Sequence, residues 1–380
     1  MPANTVLFFT LVSLTIGLIA GIAMHRSDYC VTGMFRDAIL FGDTFMLRAL
    51  FLQVLCTMIL FEVLRRLGLL PLYPFPLLGA PSLANVAGGI LFGIGMVLAG
   101  GCVVGTLYKM GAGSVTSCAA FLGLILGSGL YAEIHPQWAA FAKATAMGSA
   151  ITLPQLLGLD PAVPLAALAV PGVALVIRWH RQQKWEQATM VSGYIQPWKT
   201  ALALTVLGAT SYLLLTMPLG ISTTYAKLAA MAEHLFAPGH VAGLAYFQAE
   251  PLHVFYPPTG AMLRGGAGPA LDAIWFIQFP LIAGITAGSC LSAILLGEFA
   301  LRFRIPGRQL FTALAGGTIM GLASRMIPGC NIWHLMGGLP ILALQSVLFL
   351  IGLVPGTWLG GKILLRLLNH TSSPNICKRI

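Results

Sequence analysis

Residues 67–108 contain no aspartate, glutamate, lysine, arginine or histidine. This uncharged stretch is about twice as long as the roughly 20 residues that a transmembrane helix needs. The remainder of the chain is similar, since 57% of its 380 residues are hydrophobic and only 8% are charged, whereas a soluble domain carries about 25% charged residues. The sequence therefore predicts a polytopic membrane protein in contact with a lipid bilayer.

The apolar runs are long and do not alternate with polar residues, which favours helices over a membrane β-barrel. We expect a single all-α transmembrane domain, residues 1–380, with about nine crossings. The predicted spans are 1–24, 49–64, 83–108, 110–132, 161–178, 200–217, 273–297, 309–327 and 340–361.

Other apolar stretches contain too many glycines, prolines and isolated charges to be plain helices. Non-helical backbone at membrane depth persists only where protein or water satisfies its polar groups. We therefore predict re-entrant or half-membrane segments at 27–41, 101–109, 218–236 and 329–338.

The chain contains two internal similarities. Residues 18–22 and 281–285 both read L-I-A-G-I, and residues 88–102 match residues 316–330 at 5 of 15 positions, including a final Gly-Cys. Repeated halves with interrupted hydrophobic segments indicate a central transport site. We predict two pseudo-symmetric halves, 1–178 and 200–380, joined by a basic connector at 179–199. The sequence leaves open whether they are parallel or inverted.

The net charge of +10 has two sources in a membrane protein. Part is the positive-inside bias, which places the connector, Arg65-Arg66, Arg302/Arg304/Arg308 and the basic tail on the cytoplasmic side. The remainder suits an anionic solute, and no nucleic-acid partner is needed to explain it.

Seven cysteines are scattered along the chain, without a C-x-x-C pattern or a Cys/His metal spacing. We therefore predict no metal and no cofactor. Cys102 follows Gly100-Gly101, Cys330 follows Pro328-Gly329, and Cys30 lies in the charged break after the first span. A helix that restarts after such a break presents free N–H groups, which attract an anion.

A protonated thiol is a weak, soft hydrogen-bond donor, so it can bind a sulfur-containing anion without holding it. Cys30, Cys102 and Cys330 are therefore the predicted substrate pathway. Neighbouring residues that could line it are Arg26, Gly101, Lys109, Gly329, Asn331, His334 and Cys290.

The motifs R-x-x-x-C-x-x-G-x-x-R-D at 26–37, G-G-C-x-x-G at 100–105 and G-C-N-I-x-H at 329–334 resemble the YeeE/YedE family of bacterial thiosulfate uptake proteins. The resemblance implies a multi-pass inner-membrane protein with an hourglass shape, in which cysteines pass thiosulfate along. That role would fall on Cys30, Cys102 and Cys330. Trp333 and Leu335 replace small residues of the family pattern. A sulfur-carrier partner in the cytoplasm would be a separate protein.

Three alternatives to a thiosulfate permease remain open at this point. One is a membrane-embedded sulfurtransferase that forms a cysteine persulfide. The second is a transporter of a selenium species or of sulfite. The third is a structural membrane subunit, which would have no need of paired Gly-Cys breaks. A permease, which is not an enzyme, accounts best for three separate thiols.

Overall fold

The computed structural model describes residues 2–70, 72–189, 191, 193–256 and 260–369. Cys377 and the basic tail that follows residue 369 lie outside the described residues. Three cysteines that do not lie at a break are within long helices: Cys56, Cys118 and Cys290.

In the first part of the chain, all the regular elements among the described residues are helices. Its helices are α1 Ala3–Ser27, α2 Val31–Phe41, α3 Phe45–Arg66, α4 Leu83–Leu98, α5 Val103–Gly111, α6 Val115–Ala144, α7 Leu153–Leu157 and α8 Ala162–Arg181.

The second part adds one antiparallel hairpin, in which Leu252 pairs with Gly265. Its helices and strands are α9 Pro197–Leu215, α10 Ser222–His234, α11 Pro238–Gly243, α12 Ala245–Gln248, β1 Leu252–Tyr256, β2 Ala261–Gly265, α13 Ala273–Leu295 and α14 Gly307–Met326. A π-helix at Trp333–Gly338 and a 3-10 turn at Leu339–Ile341 precede α15, Leu344–Asn369.

Within the described residues, eight helical segments are long and apolar enough to cross a membrane. The predicted all-α polytopic architecture is therefore confirmed. The remaining predicted span, 309–327, coincides with α14, which has 20 residues but is less apolar. It carries Arg308 and Arg325 and packs between other helices.

The four segments predicted to be interrupted coincide with short helices. These are α2, α5, α10 and the π-helix. Each follows a break in which one residue has a positive φ angle: Asp28, Gly100, Thr216 and Gly329. The chain therefore repeats the order long helix, break, short helix, long helix.

Helices from the two predicted halves pack against each other: α1 on α13, α3 on α9, α4 on α15 and α6 on α14. Glycines allow several of these close approaches, as is common in membranes. A Cβ on Gly17 of α1 would lie 2.5 Å from the Leu281 carbonyl oxygen, and one on Gly89 of α4 would lie 2.5 Å from that of Phe349.

The L-I-A-G-I repeat has a different meaning from the one expected. Its two copies lie on α1 and α13, and they contact each other through Gly21 and Gly284. The glycine of each copy lies in this tight helix contact, where a Cβ would meet the backbone of the other helix. In the order long helix, break, short helix, α9 has the place in the second half that α1 has in the first. The two copies of L-I-A-G-I, which lie 263 residues apart, are therefore not at equivalent positions.

The basic clusters do not all lie at one end of the molecule. Arg48, near the start of α3, donates to the carbonyl oxygen of Lys184 in the connector. Arg65 and Arg66 end the same helix, which has 22 residues and so spans about 33 Å. The prediction that Arg65-Arg66 share a face with the connector is therefore wrong. Their charge is balanced locally by Glu62 and Asp160.

Candidate functional site

Cys102 begins a short helix at the first Gly-Cys break. Gly100 adopts φ +72° and ends α4, and Cys102 then caps α5. The Cys102 sulfur accepts a hydrogen bond from the Gly105 backbone N–H at 3.3 Å. Its side chain is completely buried. The break thus places a thiol at the N-terminus of a helix inside the protein.

Cys30 meets Cys102 from a different part of the chain. Asp28 ends α1 with φ +47°, and Cys30 caps α2. The two sulfurs are 4.0 Å apart, with both cysteines unbonded and buried. Gly105 makes room for the pair, because a Cβ there would lie 2.6 Å from the Cys30 sulfur.

Cys330 lies at the corresponding break before the π-helix and is fully buried. Gly329 has φ +141°, and a Cβ there would lie 2.5 Å from the Trp333 ring. The backbone amides of Ile332, Trp333 and Ile221 face the Cys330 sulfur. Glycine is therefore required next to this thiol both for its backbone angle and for space.

The space between the two thiol sites is narrow and apolar. Val104, two residues after Cys102, and Ile332, two residues after Cys330, line the same void of about 20 Å³ together with Ile221. All three pathway cysteines belong to one buried cluster. The void beside Val104 and Ile332 is therefore too small to connect the two thiol sites openly in this conformation.

Tyr225 lies beside this narrow space. It is one helical turn beyond Ile221 on α10 and fully buried. Its hydroxyl is within electrostatic reach of the sulfurs of Cys330 and Cys102. Among the described residues the hydroxyl has no hydrogen-bond partner.

A cavity of about 740 Å³ is lined by Asp28, two residues before Cys30, and by Tyr108 and Lys109 of α5, the helix that Cys102 caps. Tyr108 in its wall donates a hydrogen bond of 2.6 Å to the Asp28 carboxylate. The described lining includes four basic side chains and two carboxylates, which makes it net positive: Arg26, Lys109, Arg302, Arg304, Asp28 and Glu298.

A second cavity, of about 470 Å³, lies next to Cys330. Gly329 and Trp333 form its inner wall, and Arg325 also faces it. Arg325 is only 5% exposed and donates to the Thr223 hydroxyl at 2.9 Å and to the Ser222 hydroxyl.

The two cavities lie towards opposite ends of the same helices. The first is lined by Thr116 at the start of α6, and the second by Tyr131 further along that helix. Fifteen residues of helix correspond to about 22 Å. Similarly, α13 contributes Gln278 near its start to the second cavity, whereas Leu296, just beyond its end, lines the first. The thiols lie between them.

The other residues predicted near the first cavity occupy different surroundings. Arg26 lines the cavity, with its Nε buried and unpartnered among the described residues. Lys109 lines it too and donates to the Gly100 carbonyl at 3.0 Å. Gly101 is buried in the break. Cys290 lies within continuous α13 and lines neither cavity in the described part.

Two predicted residues follow Cys330. Asn331 is fully buried, and neither atom of its amide has a partner within the described chain. His334 is a packed interior side chain, hydrogen-bonded to Ser346 at 3.0 Å and stacked on Phe349. A free amide next to a thiol suits an oxyanion, whereas both ring nitrogens of His334 face protein groups.

Three residues that lie near the thiols or the second cavity are not among the site residues predicted from the sequence: Arg325, Trp333 and Tyr225. Arg325 could have been predicted from the sequence, because a charged residue within an apolar span commonly has a functional role. Trp333 stood out as a bulky residue where the resembled family has a small one. No signal pointed to Tyr225, because its position depends on how α10 packs in three dimensions.

A possible metal-binding cluster in the described residues lies away from the thiols, at Glu133, Glu233 and His240. The two ring nitrogens of His240 contact the two carboxylates. The cluster therefore connects α6 to the end of α10 and to α11.

Comparison with known proteins gives a consistent result over almost the whole chain. The chain is 30% identical to "Thiosulfate transporter TsuA" of Spirochaeta thermophila over 369 residues, which covers 93% of this chain and 98% of that protein. It is 26% identical to "Thiosulfate transporter TsuA" of Escherichia coli over 90% of this chain and 91% of that protein.

A shorter similarity extends to "Probable transporter YedE" of Escherichia coli, 34% identical over 126 residues, which cover 33% of this chain and 29% of that protein. The family model described as "Sulphur transport" matches residues 26–359, which include the three cysteine breaks and, apart from His25, the described lining of both cavities. The resemblance seen in the motifs is confirmed: this multi-pass membrane protein belongs to the YeeE/YedE sulphur-transport family, a family of transporters rather than enzymes.

Proposed function

We propose that this protein is a permease for thiosulfate uptake, and that it passes the anion between the protonated thiols of Cys330, Cys102 and Cys30. The observation that carries the proposal is the position of three buried thiols between two cavities at opposite ends of α6 and α13. The names of the two long relatives support thiosulfate as the solute.

Hydrogen bonding explains why thiols suit this task. Thiosulfate carries a terminal sulfur, a soft acceptor that a neutral S–H can bind weakly. Weak binding at successive sites permits release as well as entry. The 4.0 Å spacing of Cys30 and Cys102 lets one sulfur of the anion contact both thiols during transfer.

The distribution of basic residues around the first cavity supports the proposed direction of transport. The connector contributes Gly193 and Tyr194 to the first cavity, and Arg302 and Arg304 lie there too. By the positive-inside rule this end faces the cytoplasm. Thiosulfate would enter at Cys330 and leave past Cys102 and Cys30. The proposal includes a bacterial inner-membrane location and a separate cytoplasmic sulfur carrier, both implied by the family resemblance.

Uptake by proteoliposomes tests this function. Vesicles that contain the full chain should accumulate ³⁵S-thiosulfate faster than empty vesicles, and unlabelled thiosulfate should compete. Equal rates in both kinds of vesicle would overturn the proposal. Competition by selenite or sulfite at least as strong as that by thiosulfate would change the assigned solute.

Mass spectrometry separates the permease from a sulfurtransferase. A persulfide adds one sulfur atom to a single cysteine, whereas relay by hydrogen bonds leaves every cysteine unmodified. We expect unmodified cysteines after thiosulfate exposure, and a stable sulfur adduct on Cys102 would favour the enzyme.

A further inference from the structure

The second cavity contains a buried cation without a countercharge. Arg325 is 5% exposed and lines this cavity. Its guanidinium donates to the hydroxyls of Thr223 and Ser222, which are neutral. Its Nε is buried and has no partner among the described residues.

No carboxylate balances this charge within the described lining of the cavity. Arg325 is the only Asp, Glu, Lys or Arg side chain in that lining, and it forms no ion pair in the part of the chain that the structure describes. An arginine keeps its charge in proteins, and an unpaired charge in the interior is unfavourable. The geometry therefore calls for an anionic ligand.

The surroundings match a small oxyanion. Trp333, 4% exposed, lines the same cavity, and its indole Nε1–H has no partner within the described residues. The Tyr131 hydroxyl and His135 form a 3.2 Å hydrogen bond in another wall. Arg325 is also within electrostatic reach of the Cys330 sulfur. A planar guanidinium beside neutral donors can bind two oxygens of one anion.

We propose that Arg325 forms an anion-binding subsite of the second cavity, which holds the oxygen-bearing end of a doubly charged tetrahedral sulfur oxyanion. The proposal rests on the proposed function and extends it. Selection is divided between two sites: Arg325 recognises the charge and oxygens, which sulfate and thiosulfate share, and Cys330 recognises the terminal sulfur, which only thiosulfate has.

Anion binding to the purified full chain in detergent tests this subsite. The dissociation constants of ³⁵S-thiosulfate and ³⁵S-sulfate are measured for the wild type, Arg325→Gln and Arg325→Lys. Arg264→Gln is the matched control, because Arg264 is an exposed residue of β2 that lies outside the described cavity lining. Melting temperature without anion reports whether each variant is folded.

Arg325→Gln should weaken binding of both anions by about tenfold or more, because a buried charged partner is lost. Arg325→Lys should retain most of the binding, and Arg264→Gln should bind as the wild type does. Equal affinity of Arg325→Gln and the wild type for both anions would overturn the subsite.

A second comparison separates this proposal from the thiol relay. Cys330→Ala should weaken thiosulfate binding and leave sulfate binding unchanged. If Cys330→Ala transports thiosulfate normally while Arg325→Gln loses sulfate binding, the relay fails and the subsite stands. If uptake depends on the cysteines while Arg325→Gln binds sulfate normally, the subsite fails and the relay stands.

Discussion

The Cys30 sulfur lies 4.0 Å from the Cys102 sulfur, although 72 positions separate the two residues in the chain. Each cysteine caps a different short helix, α2 or α5. Two helix N-termini and two thiols therefore converge on one buried point. The geometry brings two soft donors and the backbone N–H groups of two helix N-termini, which favour anions, to one place.

Substitution of Gly105 by alanine should disturb this pair of thiols. The new Cβ would lie 2.6 Å from the Cys30 sulfur and 3.3 Å from the Cys102 sulfur. Overpacking of this kind costs about 1–3 kcal/mol, and the displaced sulfurs can no longer share one anion. We expect thiosulfate uptake to fall steeply and the melting temperature to fall moderately.

Gly239→Ala is the control for that substitution. Gly239 lies in α11, and nothing is within 4 Å of the position of its Cβ. This variant should transport as the wild type does. Normal uptake by Gly105→Ala would show that the close spacing of the two sulfurs is not needed.

Tyr225→Phe removes only the buried hydroxyl of α10 that lies within electrostatic reach of Cys102 and Cys330. If the hydroxyl donates to the passing anion, its loss should slow uptake by about tenfold, since a hydrogen bond to a charged group contributes about 1.5–3 kcal/mol. Stability should not fall, because this buried hydroxyl has no partner in the described protein. Uptake rate and melting temperature are measured together.

Tyr212→Phe is the matched control. The Tyr212 hydroxyl is also buried without a partner among the described residues, but its ring packs with Phe61 and Phe75, away from the thiols. Equal uptake by the two variants would remove Tyr225 from the pathway.

Trp333→Ala should open Cys330 to the second cavity. The indole lies against Gly329 and lines that cavity, while the Cys330 side chain is fully buried. Its removal should raise the rate at which a small thiol reagent labels Cys330, and should cost about 3–5 kcal/mol of stability. Mass spectrometry quantifies the labelled peptide.

Trp358→Ala controls for the loss of an indole elsewhere. Trp358 on α15 is 43% exposed, so its loss should leave Cys330 as slow to label as in the wild type. Unchanged labelling in Trp333→Ala would mean that another element covers the thiol.

The contact of His240 with Glu233 and Glu133 predicts a pH dependence of stability. The hydrogen bond to Glu233, followed by the charge of Glu133, raises the pKa of His240 above its ordinary value of 6.5. The charged imidazole is thus favoured in the folded state. Its contribution to stability is full below pH 6.5 and is lost as the pH rises through the raised pKa.

Thermal unfolding at several pH values checks this prediction. The wild type should lose stability relative to His240→Gln as the pH increases from 6 to 8, and the difference should be small because the site is exposed. Parallel pH profiles of the two proteins would contradict it.

The sequence was sufficient to predict the membrane class and the four breaks, for separate physical reasons. Hydropathy identified the long helices because lipid selects apolar side chains. Glycine identified the two Gly-Cys breaks because few other residues adopt the angles at Gly100 and Gly329. The thiols followed because each lies at or next to a break.

Other features depend on packing between distant segments, which local patterns do not encode. The contact between Cys30 and Cys102 requires α2 and α5 to meet. Tyr225 reaches the centre only because α10 packs against α6, α13 and α14. The repeated L-I-A-G-I does not mark equivalent positions of the two halves, because a short sequence match does not show which helix each copy contacts.

The most direct test of the relay is ³⁵S-thiosulfate uptake by proteoliposomes that contain Cys102→Ala, Cys330→Ala or Cys56→Ala, at matched protein content. Cys56 lies within α3 without a break and serves as the control. The account predicts that uptake falls to the level of empty vesicles in the first two variants and stays at the wild-type rate in Cys56→Ala. Wild-type uptake by both Cys102→Ala and Cys330→Ala would contradict it.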